Sequence, residues 1–299
     1  MNKKAFAMLM ATIAQVIYGF SFLFTKIGLR YTNPLTLLAV RFNVAFLALT
    51  LLILTGKMKV NLRGRSLKWV LIMSLLQPVI YFFGETYGID YSTSSFSGVM
   101  IALIPVVSIV FGLLFLKETV TLRQILFGLM SVGGVIMIVL LSENSGTFSW
   151  FGFFMLLVAV FCGALYKVVG RKIADEFTAV ERSYVNIAMG GVVFTAVALI
   201  NGAGDFRGMI LAPLTVPAFW MSIAYLAIIS SVGAFTMVNY SLNYLNVSQT
   251  AIVGNLTTVV STVAGVVILH EDFSALHLLA IVVILVGIFG ANMGATKDA

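Results

Sequence analysis

Long apolar segments alternate with short polar ones in this chain, and charged residues mark most of the boundaries. A helix needs about 20 apolar residues to cross the hydrocarbon core of a bilayer. The segment 208–269 contains no Asp, Glu, Lys or Arg and is too long for one span, so the polar residues within 241–249 are predicted to form a turn. The sequence thus predicts ten spanning helices, at about 5–25, 34–55, 69–88, 94–116, 122–141, 149–170, 179–200, 217–239, 247–269 and 274–295.

Composition agrees with a membrane protein and excludes most soluble classes. Charged residues make up 10% of the 299-residue chain and hydrophobic residues 61%, whereas ordinary soluble domains are roughly 25% charged. The net charge of +7 would suit a nucleic-acid partner in a soluble protein, but the sequence has no basic stripe interleaved with aromatic residues. We therefore expect an all-α protein in the lipid bilayer, with no nucleic-acid partner.

The positions of Lys and Arg predict how the protein is oriented. Short cytoplasmic loops hold the excess of these residues. If the N-terminus is cytoplasmic, all of the 18 Lys and Arg residues lie on that side except Lys26, Arg30, Arg41 and Arg207. Both termini are therefore expected in the cytoplasm, which requires an even number of spans, and the protein is expected in the inner or plasma membrane.

The chain contains an internal repeat. Aligning 87–121 with 240–274 gives identical pairs that include Tyr87/Tyr240, Val107/Val260, Ser108/Ser261, Gly112/Gly265 and Glu118/Glu271. The repeat predicts two five-helix halves, 1–143 and 144–299, and an odd number of helices makes the second half enter the membrane inverted. Two inverted repeats are typical of alternating-access transporters. The alternative is a duplication that only assists folding, as in some channels and scaffolds.

Three groups of residues resemble EamA-type members of the drug/metabolite transporter (DMT) superfamily. They are 14–22 with Lys26, Pro34 and Arg41-Phe42; 102–105 with 116–121; and 239–242 with 269–272. The resemblance implies a ten-helix secondary carrier of the plasma membrane, commonly an exporter of amino acids or related small metabolites. It also implies that the first, third, fourth, sixth, eighth and ninth helices line a central cavity.

Two residues depart from the pattern of these relatives. Tyr18 stands before Gly19 where the family usually has Trp, which keeps an aromatic wall and adds a hydroxyl. Gln15 stands where small multidrug resistance relatives carry an ionisable Glu. Because glutamine does not titrate, no proton relay is expected through this position.

Two of the charged residues inside predicted spans, Arg41 and Glu85, stand out, because charge in a membrane is costly and suggests function. Arg41 lies about 10 Å below the outer surface, at 1.5 Å per residue. One possibility is that Arg41 has a partner or faces a water-filled path. The alternative, which we favour, is a structural role in which Arg41 extends outward or joins helix 2 to its neighbours. Glu85 is the carboxylate best placed to face a cavity, where it would bind a substrate amine or a coupling proton. The alternative is a solvated helix end.

Two further carboxylates, Glu118 and Glu271, lie in short turns that precede helices. We expect them to act as helix caps or to interact with a helix dipole rather than to take part in chemistry. Thr119 or Thr121 and Ser274 are the predicted N-cap residues of the helices that follow.

Neutral polar and aromatic residues at middle depth are the main binding candidates. Gln15 and Tyr18, like Gln77 and Tyr81, are spaced so that each pair shares one helical face. The alternative for each residue is an interhelical hydrogen bond worth ~0.6 kcal/mol. The predicted substrate-binding set is Gln15, Tyr18, Phe22, Gln77, Tyr81, Glu85, Tyr166, Asn239, Asn255 and Thr258.

Prolines in the middle of two spans predict bends. Pro78 and Pro105 each remove a helical hydrogen bond. Their counterparts in the second half are Ser231 and Thr258, whose hydroxyls can bend a helix by bonding to the preceding turn. Pro78 and Pro105, with Arg41, form the predicted set of hinge and structural residues.

These features together predict a secondary transporter of a small-molecule substrate, an exporter of amino acids or related amines. The alternatives are a carrier of several drugs or of another metabolite, such as a nucleobase or a sugar derivative, and a passive channel or scaffold. A membrane enzyme would need a cluster of reactive groups, and His270 with Glu271 and Asp272 offers only a surface group. We expect no enzyme activity, no cofactor, no metal site, and a monomer or weak dimer.

Overall fold

The computed structural model describes residues 3–116, 121–144, 148–202, 204–205, 207–245, 247–272 and 274–293. Over these residues the chain forms ten long helices, and a short helical segment, Arg207–Leu211 and Ala212–Thr215, precedes the eighth. The helices are α1 (Lys3–Leu29), α2 (Pro34–Leu54), α3 (Lys68–Asp90), α4 (Ser94–Ile101 and Ile104–Leu116), α5 (Leu122–Asn144), α6 (Trp150–Lys172), α7 (Ala179–Asn201), α8 (Pro217–Ser241), α9 (Val247–Leu269) and α10 (Ala275–Met293).

The helices have the length and surface of membrane spans. The first eight are long and apolar enough to cross a bilayer, and α9 and α10 contain the shorter apolar stretches Leu256–Leu269 and Ala275–Gly290. Large apolar side chains point outward from the bundle, as Leu47 and Leu54 do, with 68% and 79% of their surface exposed. The predicted all-helical membrane fold of ten helices is confirmed.

Side-chain hydrogen bonds cap the N-termini of two helices, as the sequence predicts. Thr121 accepts a hydrogen bond from the backbone N of Gln124 (3.3 Å), and the Gln124 side chain accepts one from the backbone N of Thr121 (2.8 Å). The Ser274 hydroxyl accepts a 3.4 Å bond from the backbone N of His277 in α10. The N-cap predictions for Thr121 and Ser274 are confirmed, while Glu118 and Thr119 lie outside the described residues.

Helix packing relates the two halves of the bundle. The main contacts are α1 with α9 and α8, α6 with α4 and α3, α2 with α7, and α5 with α10. The counterparts in the two halves are α1 and α6, α3 and α8, and α4 and α9. When each helix is exchanged for its counterpart, the contacts of α1 become those of α6. The same exchange leaves the α2–α7 and α5–α10 pairs unchanged. The bundle is therefore built from two matching halves that pack around a common centre.

Glycine allows the helices around this centre to approach closely. A Cβ atom added to Gly84 in α3 would lie 2.5 Å from the carbonyl oxygen of Met155 in α6. A Cβ atom added to Gly19 in α1 would lie 2.5 Å from Cβ of Val260 in α9. Both contacts are closer than any side chain permits, so the backbones of these helix pairs meet only because these positions are glycine.

The third helix of each half is irregular at its middle. In α3 the helix is kinked within Leu75–Ile80, where Gln77 has an extended backbone (φ −146°, ψ 117°) just before Pro78. In α8 the π-helical segment is Tyr225–Ala234, where the Ser231 hydroxyl donates to the carbonyl oxygen of Leu226 (2.8 Å). The breaks lie at Pro78 and at Ser231, as the sequence predicts.

The fourth helices of the two halves differ from each other. In α4 the helix is interrupted between Ile101 and Ile104, and Pro105 stands in the first turn of the second segment. The helix α9 continues through Thr258, whose hydroxyl donates across to the carbonyl oxygen of Gly98 in α4 (3.1 Å). The predicted bond from the Thr258 hydroxyl to its own preceding turn is therefore wrong, because the hydroxyl bonds to a neighbouring helix instead.

Candidate functional site

A cavity lies at the centre of the bundle. Its volume is about 80 Å³, which is small beside the ~300–1,000 Å³ of pockets that bury drug-sized ligands. Side chains of α1, α3, α4, α6, α8 and α9 line it, which are the six helices that the family resemblance predicts. Arg41 adds a contribution from α2.

Most of the predicted binding residues meet in this cavity. Asn239 does not line it, and the side chain of Asn255 lies outside the described part of the structure. Of the predicted hinge residues, Arg41 and Pro105 also border the cavity, whereas Pro78 is buried. The predicted binding residues that line the cavity are Gln15, Tyr18, Phe22, Gln77, Tyr81, Glu85, Tyr166 and Thr258.

Glu85 is held inside the cavity by its neighbour on α3. Its Oε1 atom accepts a hydrogen bond from the phenol of Tyr81 (3.0 Å), and only 6% of the Glu85 surface is exposed. In the described part of the chain, the one ion pair joins Arg65 and Glu181, so the Glu85 carboxylate has no cation in direct contact. Glu85 is thus a buried cavity group, and its interpretation as a solvated helix end is wrong.

Arg41 points into the bundle and does not extend outward, with 1% of its surface exposed. Its Nε atom donates to the hydroxyl of Ser231 (3.0 Å) and Nη2 to that of Ser230 (3.2 Å). The guanidinium also lies 4.3 Å from the ring centre of Phe82, a favourable cation–π distance. Arg41 therefore joins α2 to α8 and α3, as a structural role requires, while it also borders the cavity.

Asn239 belongs to a buried polar network behind the cavity wall. Its Oδ1 atom accepts a bond from the phenol of Tyr166 (3.0 Å), and its Nδ2 donates to the hydroxyl of Ser183 (2.9 Å). Asn186 Nδ2 donates to the Tyr166 phenol oxygen (3.2 Å), and Arg182 Nη2 donates to the Asn239 carbonyl (2.6 Å). Asn239 thus fixes the orientation of Tyr166, and Tyr166 is the member of this network that lines the cavity.

Gln15 forms a hydrogen bond with the facing helix, α9. The Thr257 hydroxyl in α9 lies 2.8 Å from Oε1 and 3.1 Å from the backbone oxygen of Gln15. Both residues line the cavity. The interhelical hydrogen bond and the position in the cavity wall, which the sequence leaves as alternatives, occur together here.

Lys167 lines the cavity although the sequence places it among the cytoplasmic cations. It lies in α6, five residues before the helix ends at Lys172, and no hydrogen bond or ion pair of its ammonium occurs among the described residues. Its spacing of four from Gly163, which also lines the cavity, puts both on one helical face.

Other lining residues that the sequence analysis missed are Ser21, Phe82, Ile101, Ala102, Ile104, Phe235, Val238, Gly254 and Thr257.

One end of the bundle is held by a lysine at a helix terminus. Lys26, near the end of α1, donates from Nζ to the carbonyl oxygens of Ile89 (2.8 Å), Asp90 (3.3 Å) and Ser92 (2.6 Å). A cation is favourable at the C-terminus of α3, where carbonyls lack helical partners. These bonds connect α1 to α3 on one side of the cavity.

A carboxylate makes the complementary contact at the same end. Glu271, which follows α9, accepts hydrogen bonds from the backbone N of Ser94 (2.6 Å) and of Ser95 (2.9 Å) at the start of α4. The expected helix-dipole role of Glu271 is therefore present, but at α4 instead of at the helix that follows it in sequence. We call the region formed by Lys26, Asp90, Ser94 and Glu271 the Lys26 end.

The fold and the cavity define a membrane transport protein, in which two matching sets of helices surround a polar central cavity. The chain belongs to the EamA-like transporter family, whose model matches residues 5–140 and again 150–293. Members of this family are transporters and not enzymes.

Known proteins of similar sequence and structure agree with this assignment. The "Uncharacterized transporter YcxC" of Bacillus subtilis (strain 168) is 35% identical over 96% of this chain and 94% of its own. The "Probable amino-acid metabolite efflux pump" of Escherichia coli (strain K12) is 22% identical over 94% of this chain and 92% of its own. A solved crystal structure with 19% identity has a TM-score of 0.72 over 98% of this chain and 99% of its own, which supports the fold alone.

Proposed function

We propose that this protein is a secondary transporter that exports amino acids or related amines across the plasma membrane by alternating access. The proposal depends mainly on one observation, a central cavity whose polar and aromatic lining comes from both halves of the chain. In carriers of this architecture the substrate site lies near the midplane, at the interface of the repeats. The protein works as a monomer or weak dimer.

The proposed orientation follows from charge and from the repeat. Five helices per half predict that the second half is inverted with respect to the first, and the distribution of Lys and Arg favours cytoplasmic termini. The Lys26 end then faces outward. The exchange of helix contacts between the halves supports the inverted arrangement.

A second charged contact supports alternating access, because it lies at the opposite end of the bundle. Arg182, at the start of α7, donates to the carbonyl oxygens of Gly170 (2.9 Å) and Asn239 (2.6 Å), near the C-termini of α6 and α8. We call the region formed by Gly170, Arg182 and Asn239 the Arg182 end. Since α8 is the counterpart of α3, each half has a cation at the C-terminus of its third helix. Opening either end would require one of these contacts to break.

The proposed roles of the cavity groups follow from their chemistry. The carboxylate of Glu85 binds a substrate ammonium or a coupling proton, and the amides of Gln15 and Gln77 bind polar groups by hydrogen bonds. The aromatic faces of Tyr18 and Tyr166 contact the apolar part of the substrate. The name of the Escherichia coli relative, "Probable amino-acid metabolite efflux pump", supports this class of substrate.

Counterflow in proteoliposomes tests the proposed function. Purified protein is reconstituted with one unlabelled amino acid inside, and the labelled form is added outside, for each amino acid of a panel. A carrier gives a transient, saturable overshoot of label, whereas a passive channel gives equilibration without overshoot. Overshoot with nucleobases, sugar derivatives or drugs, and none with amino acids or amines, would replace the proposed substrate class with one of those.

A further inference from the structure

Three charged side chains line the cavity in the described part of the chain: Arg41, Glu85 and Lys167. Arg41 of α2 lies at the same level of the cavity as Glu85 of α3, because the Arg41 guanidinium packs on Phe82, three residues before Glu85. This pair brings together one positive and one negative charge, although the two do not touch. Lys167 is the remaining cation, and its charge has no counterpart of opposite sign in the lining.

The contacts between α3 and α6 place Lys167 at the other end of the cavity from Glu85. A Cβ atom added to Gly163 would lie 3.2 Å from the ring of Tyr81, and one added to Gly170 would lie 2.8 Å from Cε of Met73. The two helices are therefore antiparallel, and Lys167 lies between these two levels. Glu85 lies beyond Tyr81, towards the Lys26 end, so the cavity has a carboxylate near one end and an ammonium near the other.

An ammonium inside a membrane protein needs a partner. Charged groups in this environment are paired, face water or mark the path of a substrate or ion. Lys167 has no protein partner among the described residues, and its half-buried side chain lines the cavity. The group best suited to this position is therefore an anionic group of the transported solute.

We propose that Lys167 binds the carboxylate of the substrate, and that a carboxylate is required of every solute the protein transports. An ammonium N–H to carboxylate hydrogen bond is stronger than a bond between neutral groups. Where the solute also has an amine, that amine is directed towards Glu85. This inference rests on the proposed function and narrows it: amino acids and other carboxylates are transported, whereas amines without a carboxylate are excluded.

Matched pairs of solutes test the inference on the wild-type protein. Each pair consists of an amino acid that gives counterflow and the amine formed from it by decarboxylation, such as phenylalanine with phenethylamine or leucine with isopentylamine. The amine is expected to compete at least about tenfold less well than the amino acid, the effect of one lost charge-assisted hydrogen bond. Equal competition by both members of the pair would overturn the inference.

Substitutions identify Lys167 as the residue responsible. Lys167→Met keeps a long, flexible side chain and is expected to raise the KM of the amino acid about tenfold or more, with little effect on inhibition by the amine. Lys167→Arg is expected to restore most of the affinity. The control, Arg171→Gln, removes one positive charge from the exposed end of the same helix and should change neither value. An unchanged ratio of amino-acid to amine affinity in Lys167→Met would contradict the assignment.

Failure of the proposed function remains distinguishable from failure of this inference. If no amino acid gives counterflow, the proposed substrate is wrong, and binding of carboxylates is measured directly by the thermal stability of purified protein. Pyruvate, succinate and lactate are compared with their primary amides. Stabilisation by at least one acid, lost in Lys167→Met but kept in Arg171→Gln, would support the carboxylate site. The absence of any difference between acids and amides would overturn it.

Discussion

The phenol of Tyr81 donates a 3.0 Å hydrogen bond to the carboxylate of Glu85, one helical turn further along α3. The extended backbone of Gln77 ends the regular helix before this turn. The side chains of the segment Tyr81–Asp90 therefore do not continue the faces of the segment that precedes Gln77. Both side chains consequently face the cavity while the preceding segment, Lys68–Ser74, packs elsewhere. The break in α3 therefore determines where the cavity carboxylate lies.

The first prediction concerns the coupling of transport to protons. Glu85 is the only carboxylate among the described residues that line the cavity. If it is the coupling group, Glu85→Gln abolishes the dependence of net transport on a pH gradient, because an amide does not exchange a proton in this range. Exchange of labelled for unlabelled solute across the same liposomes continues, since it needs no net proton movement.

The control for this experiment is Asp90→Asn, which removes the exposed carboxylate at the end of the same helix. It should retain the response to the pH gradient. A response that survives in Glu85→Gln would show that the coupling group is elsewhere, and loss of exchange as well would indicate that Glu85 binds the solute itself.

The second prediction concerns the neutral lining of the cavity. Replacing Gln15, Tyr18 or Tyr81 by Ala is expected to change KM by about threefold or more, the size of a hydrogen bond worth ~0.6 kcal/mol. Expression in the membrane should be kept in each case. Phe83→Ala is the control, because Phe83 lies on the partly exposed face of α3 and does not line the cavity. Wild-type kinetics in all three variants would contradict the assignment of the cavity.

Helical spacing made much of this lining predictable from the sequence. Gln15 and Tyr18 share a face because their spacing of three residues matches the helical repeat. Gln77 and Tyr81 also meet in the cavity, although the extended backbone of Gln77 interrupts the helix there. Glu85 could be predicted as a lining residue because charged residues are rare in the apolar spans, and a carboxylate there is stable only in a few kinds of surroundings, such as a polar cavity. The helix bounds followed from the length that a bilayer requires.

The remaining features depend on packing between helices, which one sequence does not specify. Asn239 lies at a suitable depth, but its bonds to Tyr166 and Ser183 place it behind the wall. Thr258 bonds to α4 instead of its own helix, so the hydrogen bond predicted to bend α9 there does not form. The sequence places Lys167 among the cytoplasmic cations because it is near a helix end, whereas its place in the cavity wall depends on the neighbouring helices.

The third prediction concerns the close contact of α3 with α6. Gly84→Ala places a Cβ atom 2.5 Å from the Met155 carbonyl oxygen, and backbone atoms cannot move aside as a flexible side chain does. We expect a loss of about 1–3 kcal/mol in stability, measured as a lower melting temperature in detergent. In the matched control, Gly133→Ala in α5, the added Cβ atom has no neighbour within 4 Å, and stability should be unchanged or slightly higher. Equal melting temperatures in the two variants would contradict this description of the interface.

The last prediction concerns the Lys26 end as a gate. Lys26→Met removes the three hydrogen bonds to the carbonyls of Ile89, Asp90 and Ser92. If these bonds hold this end closed, their loss shifts the population towards the form open there, by about tenfold for the loss of ~1.4 kcal/mol.

Labelling of a single cysteine measures this shift. Cys162 is the only native cysteine, so Cys162→Ala with Ser21→Cys leaves one thiol in the cavity wall. A membrane-impermeant maleimide added on the side of the Lys26 end should label the protein about ten times faster when Lys26→Met is also present. Arg30→Gln, which removes an exposed cation from the same end, should leave the rate unchanged. Unchanged labelling in Lys26→Met would mean that other contacts close this end, and Glu271→Gln, which weakens the contact with α4, would then be the variant expected to open it.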